Sequence, residues 1–216
     1  MLDHGPGDVR FFDRVAPLYD RLMPAARVEP LSNAFSLSHR PVRTVLDVAG
    51  GTGRAARALS GLVADGPGDA DDTPNDTVDP GDVGHGVVVV DRSREMLRVA
   101  HGRGHVCVTA DATHLPVPDD AVDAVTVVDA LHHVRDQRAL VREARRVVAP
   151  GGVVVVADFD PTTIRGRALV TLEDVVGFDS VFSTPNDLAR FLDREGLVGR
   201  VVEPGFGYVV AGRVPR

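Results

Sequence analysis

The densest chemical signal in this 216-residue sequence is Val45–Gly53, VLDVAGGTG. An apolar run suited to a buried strand enters Gly50, Gly51 and Gly53, and a helical pattern follows. Glycine permits backbone angles closed to other residues and lets a ligand approach the main chain. The helix beyond offers N–H groups without intrahelical partners. Thr52 sits inside the turn, and the stretch from Gly51 to Ala56 also fits the G-x-G-x-x-A of dinucleotide sites. Two chemistries are open at this turn: a phosphate-linked dinucleotide, or a nucleoside without phosphate.

Asp47 separates them. A carboxylate at the strand end disfavours a pyrophosphate and favours a ligand with an amino group, held directly or through water. S-adenosylmethionine carries an ammonium and a sulfonium and no phosphate. Asp91 ends the next strand, where acidic side chains accept hydrogen bonds from ribose hydroxyls. It lies 40 residues after Gly51, and 18 once the 22-residue segment 65–86 is set aside, near the roughly 20 such sites show. Asp91 followed by Arg92-Ser93 also suits a helix cap. Asp111-Ala112 follow the third strand, where a side-chain acceptor beside a backbone N–H can read the edge of an adenine; the alternative is a turn Asp. All these carboxylates fall at carboxyl ends of parallel strands, where open sheets bind ligands.

His132 and His133 follow the fourth strand, at the same end of the sheet. A histidine titrating near neutrality can take a proton from an acceptor, and His132 is the candidate base; the alternative is a histidine bonded to backbone at a helix start. The other six histidines show no metal-like pairing, and Cys107 is the sole cysteine, so neither a metal site nor a disulfide is expected.

The elements that must position these residues alternate. Strands are expected at 43–49, 87–91, 105–109, 122–128 and 153–158. Helices are expected after the glycine turn to about Val63, from Ser93 to about His101, over 136–149 (ended by Pro150-Gly151-Gly152) and over 185–195 with Thr184 as N-cap. Strands at 198–203 and 208–213 read as a hairpin. The fold class is α/β, a doubly wound, mostly parallel Rossmann-like sheet closed by an antiparallel hairpin. Residues 1–40 form an N-terminal helical cap whose apolar positions (Phe11, Phe12, Val15, Leu18, Tyr19, Leu22, Met23) fall at helical spacing. Pro17 and Pro24 break it, and it suits either a lid or a helix packed on its own domain. Residues 41–216 form the ligand-binding domain. The stretch 159–183 carries no readable motif; Phe178, Val181 and Phe182 suit a pocket, a core or a dimer contact equally.

Composition excludes several classes. Apolar residues make up 44% and charged residues 25%, ordinary globular usage that excludes collagen-like, coiled-coil and wholly disordered chains. All 24 basic residues are arginine, and segment 65–86 holds seven Asp and no Arg, so it carries the whole net charge of −7. That segment, with five Gly and three Pro, reads as a mobile, tolerated surface insertion. No basic footprint for nucleic acid exists. No apolar run approaches the roughly 20 residues of a membrane span, and no charged-then-apolar leader opens the sequence. The expectation is a cytoplasmic protein without an integral membrane segment.

The motifs VLDVAGGTG, VVVVDRSREML, ADATHLPVPDDAVDAVTVVDALHHV and LVREARRVVAPGG resemble those of the class I S-adenosylmethionine-dependent methyltransferases over roughly residues 43–213. The N-terminal VRFFDRVAPLYDRLMP and the wording DVAGGTG resemble the ubiquinone and menaquinone C-methyltransferases. That resemblance implies S-adenosylmethionine as cofactor, Thr52, Asp91, Asp111 and Ala112 as its contacts, and Tyr19 on the lid near the methionine moiety. It implies methyl transfer to a small, apolar acceptor, with a quinone precursor or other lipid-like substrate in view. Two departures stand out. Ala49 replaces the usual glycine, and Asp129-Ala130-Leu131-His132-His133-Val134 replaces the quinone enzymes' Phe-Gly-Leu-Arg-Asn-Val. Against this reading stand a nicotinamide-dependent oxidoreductase and a non-catalytic nucleoside-binding protein of the same fold.

Overall fold

Valine fills the strands because β-branched side chains suit extended backbone and pack on both faces of a buried sheet. The computed structural model of the chain describes residues 8–23, 26–63 and 85–216. Seven strands form one sheet: β1 (Thr44–Val48), β2 (Gly86–Asp91), β3 (Val106–Thr109), β4 (Val122–Val128), β5 (Val148–Phe159), β6 (Val198–Glu203) and β7 (Gly207–Arg213). Their order is β3-β2-β1-β4-β5-β7-β6. β1 to β5 pair in parallel, and β7 lies antiparallel between β5 and β6. This is the expected doubly wound sheet with its terminal hairpin. The order reverses beside β1, so β1 and β4 open a crevice at their carboxyl ends.

Eight helices are described: α1 (Val9–Val15), α2 (Tyr19–Leu22), α3 (Val28–Phe35), α4 (Arg54–Leu59), α5 (Arg94–His101), α6 (Gln137–Val147), α7 (Ile164–Val176) and α8 (Pro185–Arg194). Alternate strand residues serve the two faces. Leu46, Val125, Val127, Val154 and Val156 pack under α6 and α8, with Leu140, Val141, Leu188 and Leu192. Val45, Ala124, Val153 and Val155 pack under α3 and α4, with Leu31, Ala34 and Leu59. Thr184 caps α8 as expected, and Ser93 and Asp136, expected as first helical residues, cap α5 and α6; each accepts a backbone N–H of the first turn. Such caps stabilise a helix by about 1 kcal/mol. Among the described residues, no helix is long and apolar enough to cross a membrane.

Several boundaries differ from expectation. α6 ends at Val147, and β5 begins at Val148, because Val148 pairs with Val122 before the ladder resumes at Val153. Pro150-Gly151-Gly152 therefore lies within β5 and does not simply stop a helix. α7 was not visible as a motif, yet its ends are marked. Thr163 accepts from Gly166 N, and Gly177 turns left-handed at φ 93°, with Phe178 N donating to Glu173 O at 3.0 Å. Pro17 separates α1 from α2 as expected, whereas Pro24 lies outside the described residues. The first 40 residues divide: α3 belongs to the core layer, and only α1 and α2 lie over the crevice. Segment 65–86 lies outside the described residues except for 85 and 86, and Gly86 opens β2 opposite Thr44.

The β4–β5 crossing leaves no space at Gly152, where an added Cβ would sit 2.4 Å from the Asp123 carbonyl oxygen. Overpacking of this kind costs about 1–3 kcal/mol. Gly152→Ala is expected to lower the melting temperature by roughly 2–12 °C for a chain of this size, measured by thermal unfolding. An unchanged melting temperature would show that the crossing has room to spare.

Candidate active site

The turn after β1 is sharply constrained. Ala49, Gly51 and Gly53 all take left-handed angles, with φ of 54°, 56° and 74°. For Ala49 that conformation costs about 1–2 kcal/mol. Gly50 has a different reason to be glycine, since a Cβ there would lie 2.6 Å from the Asp47 carboxylate.

That contact reveals where Asp47 points. It is fully buried, and it accepts hydrogen bonds from Thr126 Oγ1 at 3.0 Å and Ala56 N at 3.1 Å. It does not line the cavity at the turn. The expected ammonium contact is overturned: Asp47 is a brace that ties the turn to the first turn of α4 and to β4. Burial pushes its carboxyl up to about 7, against the bonds from Thr126 and Ala56.

A cavity opens in front of the turn and brings together Gly50, Gly51, Asp91, Asp111, Ala112 and Tyr19. Asp91 Oδ2 accepts from Gly51 N and Oδ1 from Ser93 N, both at 2.8 Å. Burial raises its carboxyl above the ordinary carboxylate range. Asp111 closes an Asx turn on Thr113 N at 2.9 Å and faces Arg92 at 3.4 Å. Tyr19, Phe12 and Val9 form the wall supplied by α1 and α2, and burial pushes the Tyr19 phenol up to about 12.

Thr52 and Gly53 stand behind the wall. Thr52 Oγ1 donates to Asp20 Oδ1 at 2.5 Å, and Thr52 O accepts from Arg103 at 2.9 Å, so it ties the turn to α2. Gly53 is glycine for packing, because a Cβ would meet the His105 ring at 2.5 Å. Ser93 Oγ donates to Asp13 Oδ1 at 2.5 Å, a second tie to the N-terminal helices.

Sequence reasoning missed the Arg54–Asp129 ion pair. Both side chains are largely buried and form a hydrogen-bonded salt bridge. Asp129 is held at φ 53° just beyond β4. Its place at a strand end was the available signal. The pair borders the first cavity and also a second chamber walled by Leu31, Val128, Phe159, Phe206 and Val209.

The two histidines face different ways. His132 does not line the cavity. Its Nδ1 lies 2.6 Å from Asp158, and its Nε2 lies 3.5 Å from Glu173. Burial opposes its charge, but the two carboxylates outweigh it and push His132 up to about 10. Both ring nitrogens face carboxylates and the ring is off the cavity wall, so His132 is corrected from candidate base to a structural link. His133 does line the cavity. Burial lowers its pKa against the bond from Asp8, and the His132 cation lowers it further.

Asp47 carries a measurable signature. Its folded pKa of about 7 exceeds its ordinary 3.8, so the stability it lends is present below pH 4 and lost as pH rises through 7. Asp47→Asn keeps an acceptor for Ala56 N and removes that titration. The melting temperature of the variant relative to wild type is expected to rise between pH 4 and 7.5, in a pH series of thermal melts. A constant difference would mean that Asp47 is ionised throughout.

A family described as Methyltransferase domain matches residues 76–156. Ubiquinone/menaquinone biosynthesis C-methyltransferase UbiE of Pseudomonas putida is 32% identical over 217 residues, covering 92% of this chain and 80% of that protein. The protein of the same name from Hahella chejuensis is 31% identical over 159 residues, and that match spans 71% of this chain and 60% of the Hahella protein. A solved SAM-dependent methyltransferase from Thermotoga maritima shares the fold, with a TM-score of 0.68 at 20% identity, covering 95% of this chain and 98% of the other. With the sheet order and the glycine turn already described, the chain belongs to the class I S-adenosylmethionine-dependent methyltransferases, among relatives of the ubiquinone/menaquinone C-methyltransferases.

Proposed function

We propose that this enzyme methylates a small, largely apolar acceptor of the quinol class. The observation that carries the cofactor side is the use of the Gly51 N–H. In a dinucleotide site that N–H would meet a pyrophosphate. Here it donates to Asp91, and the cavity also carries the carboxylates of Asp111 and Asp129. Arg92 and Arg54 on the same wall offset those two, so the preference for a cationic nucleoside over a pyrophosphate, first placed on Asp47, rests on Asp91 at the Gly51 N–H.

In this reading Asp91 receives the ribose hydroxyls and the Asp111-Ala112 corner receives the adenine. Arg54 and Asp129 clamp the carboxylate and ammonium of the methionine end. Tyr19 and Phe12 cover the site and exclude water. S-adenosylmethionine supplies a methyl group on an electrophilic sulfonium, so the chain's main task is to hold methyl and acceptor in line.

The acceptor class rests on the second chamber. Its walls are mostly apolar, and the Phe159 and Phe206 rings lie 5.1 Å apart and tilted by 32°, a surface for a flat ring. The similarity to the quinone C-methyltransferases supports the same class, while His132-His133 in place of their Arg-Asn supports a distinct member of it. The acceptor is lipid-like.

Calorimetry with S-adenosylmethionine, followed by incubation of methyl-labelled cofactor with a cell lipid extract, tests the reading. Label is expected in an apolar aromatic product; label only in polar products would overturn the acceptor class. Asp91→Ala is expected to weaken cofactor binding roughly 10- to 100-fold, the worth of hydrogen bonds to a charged group, with a melting curve as control for turn collapse. Unchanged affinity would remove Asp91 from the ribose role.

A further inference from the structure

We propose that His133 is the proton acceptor of the transfer step and that Asp8, from the N-terminal segment, positions it. This rests on the methyl-transfer reading above and adds the group that takes the proton. His133 lines the cofactor cavity, and its Nδ1 lies 3.2 Å from Asp8 Oδ2. Asp8 is itself buried at the start of α1, so a carboxylate–imidazole pair spans the join between α1 and the turn after β4. With Nδ1–H donating to Asp8, Nε2 keeps the lone pair.

The surroundings hold the ring in place and keep it neutral. Phe12 meets it edge-on at 5.1 Å from α1, and Phe178 at 5.0 Å from beyond α7. The charged and polar groups facing it are Asp8 at Nδ1, Ser180 Oγ at 3.4 Å, the adjacent His132 ring with centroid 4.2 Å away, and the Glu173 carboxylate within 4.8 Å, which with Asp8 works against the lowering by burial and His132. His132 is the cation of that set, and a second proton beside it is disfavoured. The two neighbouring imidazoles thus divide the work: His132 keeps its proton for structure, and His133 is free to gain one.

The step balances simply. The acceptor reaches from the second chamber across the border that the two cavities share at Arg54, Val128 and Asp129; there its X–H bond breaks and the proton goes to His133 Nε2. The freed electron pair forms the X–CH3 bond as the S–CH3 bond of the sulfonium breaks, leaving a neutral thioether. The imidazolium returns its proton to solvent after product leaves. Asp8 heads α1, so the helix that covers the site also orients the base.

Imidazole 15N NMR of the full chain, with and without S-adenosylmethionine, tests this directly, His133→Gln providing the assignment. The expected spectrum shows His133 neutral at pH 7 as the Nδ1–H tautomer, with a midpoint below that of a free histidine. Asp8→Asn removes the carboxylate that favours the imidazolium, so it should lower that midpoint further and disturb the tautomer. A protonated His133 at pH 7, an Nε2–H tautomer, or an Asp8→Asn spectrum identical to wild type would overturn the proposal.

Single-turnover transfer from methyl-labelled cofactor to anaerobic 1,4-naphthohydroquinone adds the chemical readout. His133→Gln is expected to slow transfer by roughly 10²- to 10⁴-fold and to remove the inflection at the His133 midpoint. An unchanged rate and inflection would also overturn it. If wild type binds no S-adenosylmethionine, the methyl-transfer reading fails instead. If wild type binds it but leaves this acceptor untouched, the tautomer and its response to Asp8→Asn decide.

Discussion

Two carboxylates hold the glycine turn after β1 from opposite sides, and the site depends on both. Asp47 grips it from beneath through Ala56 N and Thr126. Asp91 grips it from the cavity through Gly51 N. Burying carboxylates is costly unless hydrogen bonds compensate, and here backbone N–H groups supply much of that compensation. The turn is thereby shaped before any ligand arrives. Its strained Ala49 persists because the residues on either side are already fixed.

The same economy recurs where the N-terminal helices meet the domain. α1 and α2 bury little of their own, and their hold on the domain includes single polar ties: Asp8 to His133, Asp13 to Ser93, and Asp20 to Thr52. Each tie ends on a residue of the cavity wall or of the turn behind it. Covering the site and ordering its residues are therefore one event. The α3 helix differs, because Leu31, Ala34 and Phe35 are sealed into the core.

His132 and His133 show how far environment outweighs residue type. They are adjacent, yet one lies with a carboxylate at each ring nitrogen, and the other is buried among aromatic rings with Asp8 at one nitrogen and His132 beside it. Their proton affinities are driven in opposite directions. Between them and the turn lies the Arg54–Asp129 pair, which borders both chambers.

Local signals made much of this legible in the sequence. Valine runs, glycines at left-handed positions and the caps at Ser93, Asp136 and Thr184 are decided by near neighbours, so the strands, most helices and the binding crevice follow from them. The positions of Gly50, Gly51, Asp91 and Asp111-Ala112 around one cavity follow from the rule that strand ends converge. α7 escaped notice because its exposed apolar residues, among them Ile164, Leu172 and Val175, blur the pattern of a buried stripe, although Thr163 and Gly177 marked its ends. What the tertiary structure alone decided was direction and partnership. Asp47 turns inward, Arg54 meets Asp129 across 75 residues, and His133 meets Asp8 across 125. A residue's type sets what a side chain can do. Which way it faces, and therefore what charge it holds, depends on contacts between segments far apart in the chain, and those exist only once the sheet has formed.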